Sequence, residues 1–213
     1  MKKILLSVLL IVSVYYGQGK ISGVTYFDYT YDLSECANDD GFSLNRAYFT
    51  YEQELSKGIS YKFQTDVGQL EVFDSFLDDV VTTQKTQYVA YLKNAKVDWV
   101  LPGDLFGKVT IGLQGMNIFN VTEKTWGFRF LQKSAMDKYK FSSSADMGIG
   151  YSGDLSNYNL HYSVMYTNGS GYKNSENDKH KKISTQIVYG EKKLVKKDGI
   201  NLGTSFSIEP YDT

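Results

Sequence analysis

The sequence predicts an all-β fold, a transmembrane antiparallel β-barrel with about nine strands present, on three observations. Stretches of roughly ten residues alternate polar and apolar, most cleanly in Ile59-Ser60-Tyr61-Lys62-Phe63-Gln64-Thr65-Asp66-Val67. Period two gives a strand one wet face and one apolar face, and about ten tilted residues cross a bilayer. The connectors alternate short and long, as tight periplasmic turns and longer outer loops do. The chain also opens as a secretory leader: basic Met1-Lys2-Lys3, an apolar core Ile4 to Val14, and small Gly17 and Gly19 before Lys20. That assigns 1–19 to a signal peptide and 20–213 to the barrel domain. Nothing later approaches the roughly 18 consecutive apolar residues of a spanning helix, so a membrane would be crossed by strands.

Taken in order, the first strand runs from Lys20 to Tyr31, with Ile21, Phe27 and Tyr29 opposite Ser22, Asp28 and Thr30. The second, Phe42 to Leu55, sets Ala47, Phe49 and Tyr51 against Arg46, Thr50, Glu52 and Glu54. Ser56-Lys57-Gly58 turns it into the third, Ile59 to Gly68, as a hairpin. The acidic connector Gln69 to Lys85 carries Leu70, Phe73, Leu77 and Val80 at near-helical spacing, which predicts a short amphipathic helix. In the fourth strand, Thr86 to Leu101, Val89, Tyr91, Ala95, Val97 and Trp99 oppose Asn94, Lys96 and Asp98, and Lys93 breaks the apolar side. Pro102-Gly103-Asp104 turns into the fifth, Lys108 to Met116. The long segment Asn117 to Phe141 has no clean period. Further strands follow at Ala145 to Ser152, Tyr158 to Thr167, Ile183 to Gly190 and Ile200 to Glu209. An odd strand count suits no bacterial single-chain barrel, so the wall is expected to be incomplete at its C-terminal side.

Composition narrows the function classes. Tyr (18) and Phe (12) far outnumber Trp (2), and Pro is only 2, a balance that suits strands with one apolar face. Net charge −1 becomes −3 once Lys2 and Lys3 leave with the leader, which gives no reason to expect nucleic acid. Cys36 is the only cysteine, and His161 and His180 lack ligand-spaced neighbours, so neither a metal site nor another cofactor is expected. Gly148-x-Gly150-x-x-Gly153 matches a dinucleotide fingerprint but lies in an alternating segment followed by another strand, where small wall residues explain it better. Asp39-Asp40 and Asp78-Asp79 sit in polar loops with no activated nucleophile, and no catalytic residue is assigned.

At Phe42…Arg46-Ala47-Tyr48, Thr65-Asp66-Val67-Gly68, Asn94-Ala95-Lys96-Val97-Asp98-Trp99, Ile111-Gly112-Leu113-Gln114 and Trp126-Gly127-Phe128-Arg129 the chain resembles the phosphate-selective porin O and P family, from about Lys20 to the last strand. The resemblance implies a sixteen-stranded, homotrimeric barrel in the outer membrane of a Gram-negative-type bacterium, of which this chain is the N-terminal part. It also implies an inward-folded loop and a lumen whose basic residues select anions.

Strand parity places Arg46, Lys62, Lys96 and Lys108 in the lumen, opposed by Asp28, Glu52, Glu54, Asp66 and Asp98. Were Thr122 to Lys140 one helix, Arg129, Lys133 and Lys140 would fall within a wedge of about 40° at 100° per residue and could line a constriction. An outward loop with solvated charges is the competing reading. The expected function is a passive pore for small hydrophilic solutes, anionic ones or phosphate included, with outer-membrane lipid as its surroundings. The alternative is a loop-plugged barrel acting as a surface binding protein or adhesin.

Overall fold

The computed structural model describes residues 19–31, 41–73, 84–102, 107–176 and 178–210. Residues 1–18 of the leader, Cys36, Asp39-Asp40, Leu77, Val80 and Asp78-Asp79 lie outside them. Nine antiparallel strands form one sheet in chain order: β1 (Lys20–Thr30), β2 (Gly41–Ser56), β3 (Ile59–Phe73), β4 (Gln84–Val100), β5 (Lys108–Gly115), β6 (Ala145–Leu155), β7 (Leu160–Thr167), β8 (Lys182–Gly190) and β9 (Asn201–Ile208). β1 and β9 are its two edges, so the described strands make one open antiparallel sheet. No helix among the described residues is long and apolar enough to cross a membrane.

The two faces are sorted against the usual rule for water-soluble proteins. On one face Ile111, Ile149, Val164, Tyr166, Ile187 and Phe206 are exposed, while the opposite face buries Thr50, Asp66, Thr110, Thr167, Ser184 and Gln186. We call the second the inner face. Its polar side chains join across strands. Gln64 Nε2 donates to Thr50 Oγ1 (2.8 Å) and Asn94 Nδ2 to Gln64 Oε1 (2.7 Å), spanning β2, β3 and β4. Gln186 Nε2 donates to Ser205 Oγ (2.9 Å) between β8 and β9. Such side-chain rungs reinforce the backbone ladder.

Irregularities in strand pairing change the predicted face of particular residues. The β3/β4 register slips between Gln64 and Thr65, leaving Lys93 as an extra residue opposite neither partner. A bulge of this kind inverts parity beyond it, so Tyr91, expected on the apolar side, pairs with Asp66 on the inner face. β1 and β2 slip likewise at Asn45. Gly112, at φ 117°, stands where a Cβ would lie 2.3 Å from the Ala95 carbonyl oxygen, a conformation and a contact open to glycine alone. Gly148 and Gly150 of the fingerprint lie within β6 and pair across the sheet, as wall residues do.

The connectors also depart from expectation. β3 runs through Leu70 to Phe73 and β4 begins at Gln84, so both ends of the acidic connector are strand, where a helix was predicted from Leu70 and Phe73. The β8–β9 connector, 191–200, is then as long as the segment 74–83, which blunts the short-and-long alternation. The segment after β5 folds as α1 (Asn117–Trp126) and the single turn α2 (Ala135–Lys138). Gly127, at φ 70°, ends α1 in a left-handed cap. The single helix from Thr122 to Lys140 therefore does not exist, and neither does its basic wedge.

Candidate pore lining

The segment between β5 and β6 turns back over the inner face. Asn117 Nδ2 donates to the Ser184 carbonyl (3.2 Å), and buried Met116 and Phe119 pack on Met165 of β7. That apolar patch is where the otherwise polar face carries α1, because a helix buries its apolar stripe where it can. At its far end Gly127 comes against Val195 in the connector after β8. α1 thus bridges the apolar patch on the inner face and the connector after β8. Ser134 donates to Glu123, and the Trp126 indole N–H donates to the Gln132 carbonyl (3.0 Å), so the return strand of the segment is tied to the helix.

Between this segment and the sheet lie connected cavities. The largest, about 590 Å³, lies at the tight-turn end and is bordered by Lys108, Lys124, Asp154, His161 and Lys192. A second, about 400 Å³, is walled by Lys62, Asn94, Lys96, Thr110 and Ser163. Two smaller ones, about 210 Å³ and 320 Å³, meet at Arg46 and Arg129 toward the other end.

Most cations of the lining face a carboxylate. Lys62 pairs with Glu52 (2.9 Å), Lys96 with Asp98 (2.9 Å), Lys108 with Asp98 (3.5 Å) and Arg46 with Asp66 (3.3 Å). Arg129 lies between Glu123 (3.6 Å) and Asp137 (3.3 Å). Asp154 receives Lys192 (2.8 Å) and His161 (2.5 Å). Asp66 is fully buried with no hydrogen bond to either oxygen, so Arg46 is its compensation.

Of the residues predicted to line a pore, Arg46, Lys62, Lys96 and Lys108 all border these cavities. Arg129 and Lys133 share the 320 Å³ cavity, brought together by the turn after Gly127 and not by a helix face. Lys140 is exposed, at φ 55°.

Three cations beside these cavities escaped the sequence reading: Lys192, paired with Asp154, Lys124 and Lys93. Lys124 borders three of the cavities and has no carboxylate partner among the described residues. Removal from bulk water, then the charges of Lys192, Lys193 and Lys108, hold its pKa below the ordinary lysine range. Lys93, turned inward by the bulge, bonds Ser144 and sits 3.9 Å from the Tyr172 ring centroid, a cation–π contact. Its signal was legible: Lys93-Asn94, two consecutive polar residues in an alternating strand, is how a bulge reads. Lys124 carried none, because the helix that aims it is set by Gly127 and by packing on Met165. No family model, no curated protein and no solved structure matches this chain.

Proposed function

We propose that the chain forms the wall of an outer-membrane pore passing small hydrophilic solutes, with a modest preference for anions. One observation carries the reading: the sheet exposes aliphatic and aromatic side chains on its outer face and keeps charged and amide side chains, with open cavities beside them, on its inner face. In water that arrangement leaves a large apolar surface unburied; against lipid it is the stable one. The folded-back segment then narrows the lumen. The free edges of β1 and β9 need partners in lipid, where each unpaired backbone group costs several kcal/mol, so further strands close the wall. The resemblance to phosphate-selective porins supports the same reading and adds a homotrimer as its assembly.

The preference for anions follows from Lys124. Low-dielectric walls focus the field of a cation that makes no ion pair among the described residues. Arg129 contributes less than its position suggested, since two carboxylates flank it. The test is reconstitution of the protein in a planar bilayer under a salt gradient. Stepwise conductance with an anion-leaning reversal potential is the expected record. A folded, inserted protein that never conducts would sink the pore and favour a plugged surface binder.

A further inference from the structure

We propose that the cavity shared by Arg129 and Lys133 takes neutral carbohydrate rings, stacked on an aromatic row of the folded-back segment. The inference rests on the pore reading and names a solute class for one part of that pore. Trp126, Phe128 and Phe130 form a continuous row, with ring centroids 5.6 Å and 6.2 Å apart. Phe128 and Phe130 are each more than half exposed, although they belong to a segment held over the polar face. Phe130 and the adjoining Leu131 border the 320 Å³ cavity opposite Tyr26.

Beside its three cations, the hydrogen-bonding groups of that cavity include Asp28, Asn45 and Gln132. Asp28 accepts from Ser43 and from Asn45 Nδ2 (2.7 Å), which fixes the carboxylate beside the aromatic floor. A pyranose ring has this same division, an apolar C–H face and an equatorial belt of hydroxyls. Aromatic faces carry negative quadrupole density that draws the C–H face, and planar carboxylate and amide edges pair with the hydroxyls.

Charge decides between a sugar and an anion. Arg46 is offset by Asp66, and Arg129 by Glu123 and Asp137, so Lys133 is the one cation here without a carboxylate among the described residues. An inorganic anion would find few uncommitted donors and the exposed apolar side chains of Phe130 and Leu131. A neutral polyol ring finds both of its surfaces matched.

Trp126 supplies the reporter. The chain has two tryptophans, and Trp99→Phe on the outer face leaves Trp126 alone. The full chain in detergent micelles, its β content checked by circular dichroism, is titrated with maltohexaose and, at matched ionic strength, with inorganic phosphate. A saturable change of Trp126 emission with the sugar and none with phosphate is expected. Phe130→Ala should weaken apparent affinity about two- to tenfold, the range for losing one aromatic contact, whereas Ile149→Ala on the outer face should not. No response to the sugar, or a response undiminished in Phe130→Ala, overturns the proposal; a neighbouring strand or second copy covering the row gives the first of these. The readout needs no ion current, so a silent bilayer record would strike the pore reading and leave this result separately legible.

Discussion

On the proposed pore reading, Lys124 is the residue on which ion preference would turn. Lys62, Lys96 and Lys108 each lie within 3.5 Å of a carboxylate, and Lys124 faces none among the described residues. Lys124→Glu should therefore shift the reversal potential toward cations, and by more than Lys96→Glu, with single-channel conductance surviving. Equal shifts would make the lining respond to total charge and not to this position. The pH dependence has a definite sign: because burial lowers the lysine's pKa, its charge is lost at a lower pH than that of an exposed lysine as pH rises. Anion preference should begin to fall below the ordinary lysine value of about 10.4. Facing is testable at the same scale. Ile111→Arg should cost about 2–4 kcal/mol of folding free energy in vesicles if the position lies near the bilayer midplane. Ser163→Arg, opening on the two largest cavities, should cost far less. Thr110 is no substitute for Ser163 as the control, since it is buried and donates to Asp98.

Among the elements, β5 and β6 each depend on a glycine within the sheet. Gly112 needs φ 117°, and at Gly148 a Cβ would lie 2.2 Å from the Tyr166 carbonyl oxygen. Gly112→Ala must move β4 or abandon its conformation, and is expected to destabilise by about 1–3 kcal/mol. Gly115→Ala, where the nearest atom is 3.8 Å away, should be close to neutral. Urea midpoints of the two variants refolded into vesicles check the contrast. The same element scale accounts for the misread faces. Alternation assigns β3 and β5 correctly because their side chains keep period two through the sheet's middle, while in β4 the bulge at Lys93 moves Tyr91 inward. There it lies against Tyr172 and beneath Lys173.

At the scale of the molecule, the arrangement that matters most is α1 lying over the inner face between connectors far apart in sequence. A Cβ built on Gly127 would lie 3.9 Å from that of Val195, within the range of a disulfide. In a Cys36→Ser background, Gly127→Cys with Val195→Cys should oxidise to a crosslinked species of altered mobility on a non-reducing gel, restored by reductant. A pair that stays reduced under mild oxidant would return the segment to the outside of the pore. Crosslinked protein should still conduct, because the cavities lie beside the helix and not beneath its contact with Val195.

Strand number, order and the polar or apolar identity of most faces were settled by the sequence, since period-two alternation is a local property that a one-residue slip would destroy. The basic residues Arg46, Lys62, Lys96 and Lys108 were legible for the same reason. The tertiary structure decided what alternation cannot encode. Bulges add a residue to one strand only relative to its neighbour, so the inward turn of Tyr91 exists only in the pairing with β3. The path of Asn117 to Ser144 has no period to read: a left-handed glycine ends α1, and contacts with Met165 and Ser184 seat it. Charge balance was hidden as well, for whether Arg129 or Lys124 acts on a passing ion depends on which carboxylates the fold places beside each.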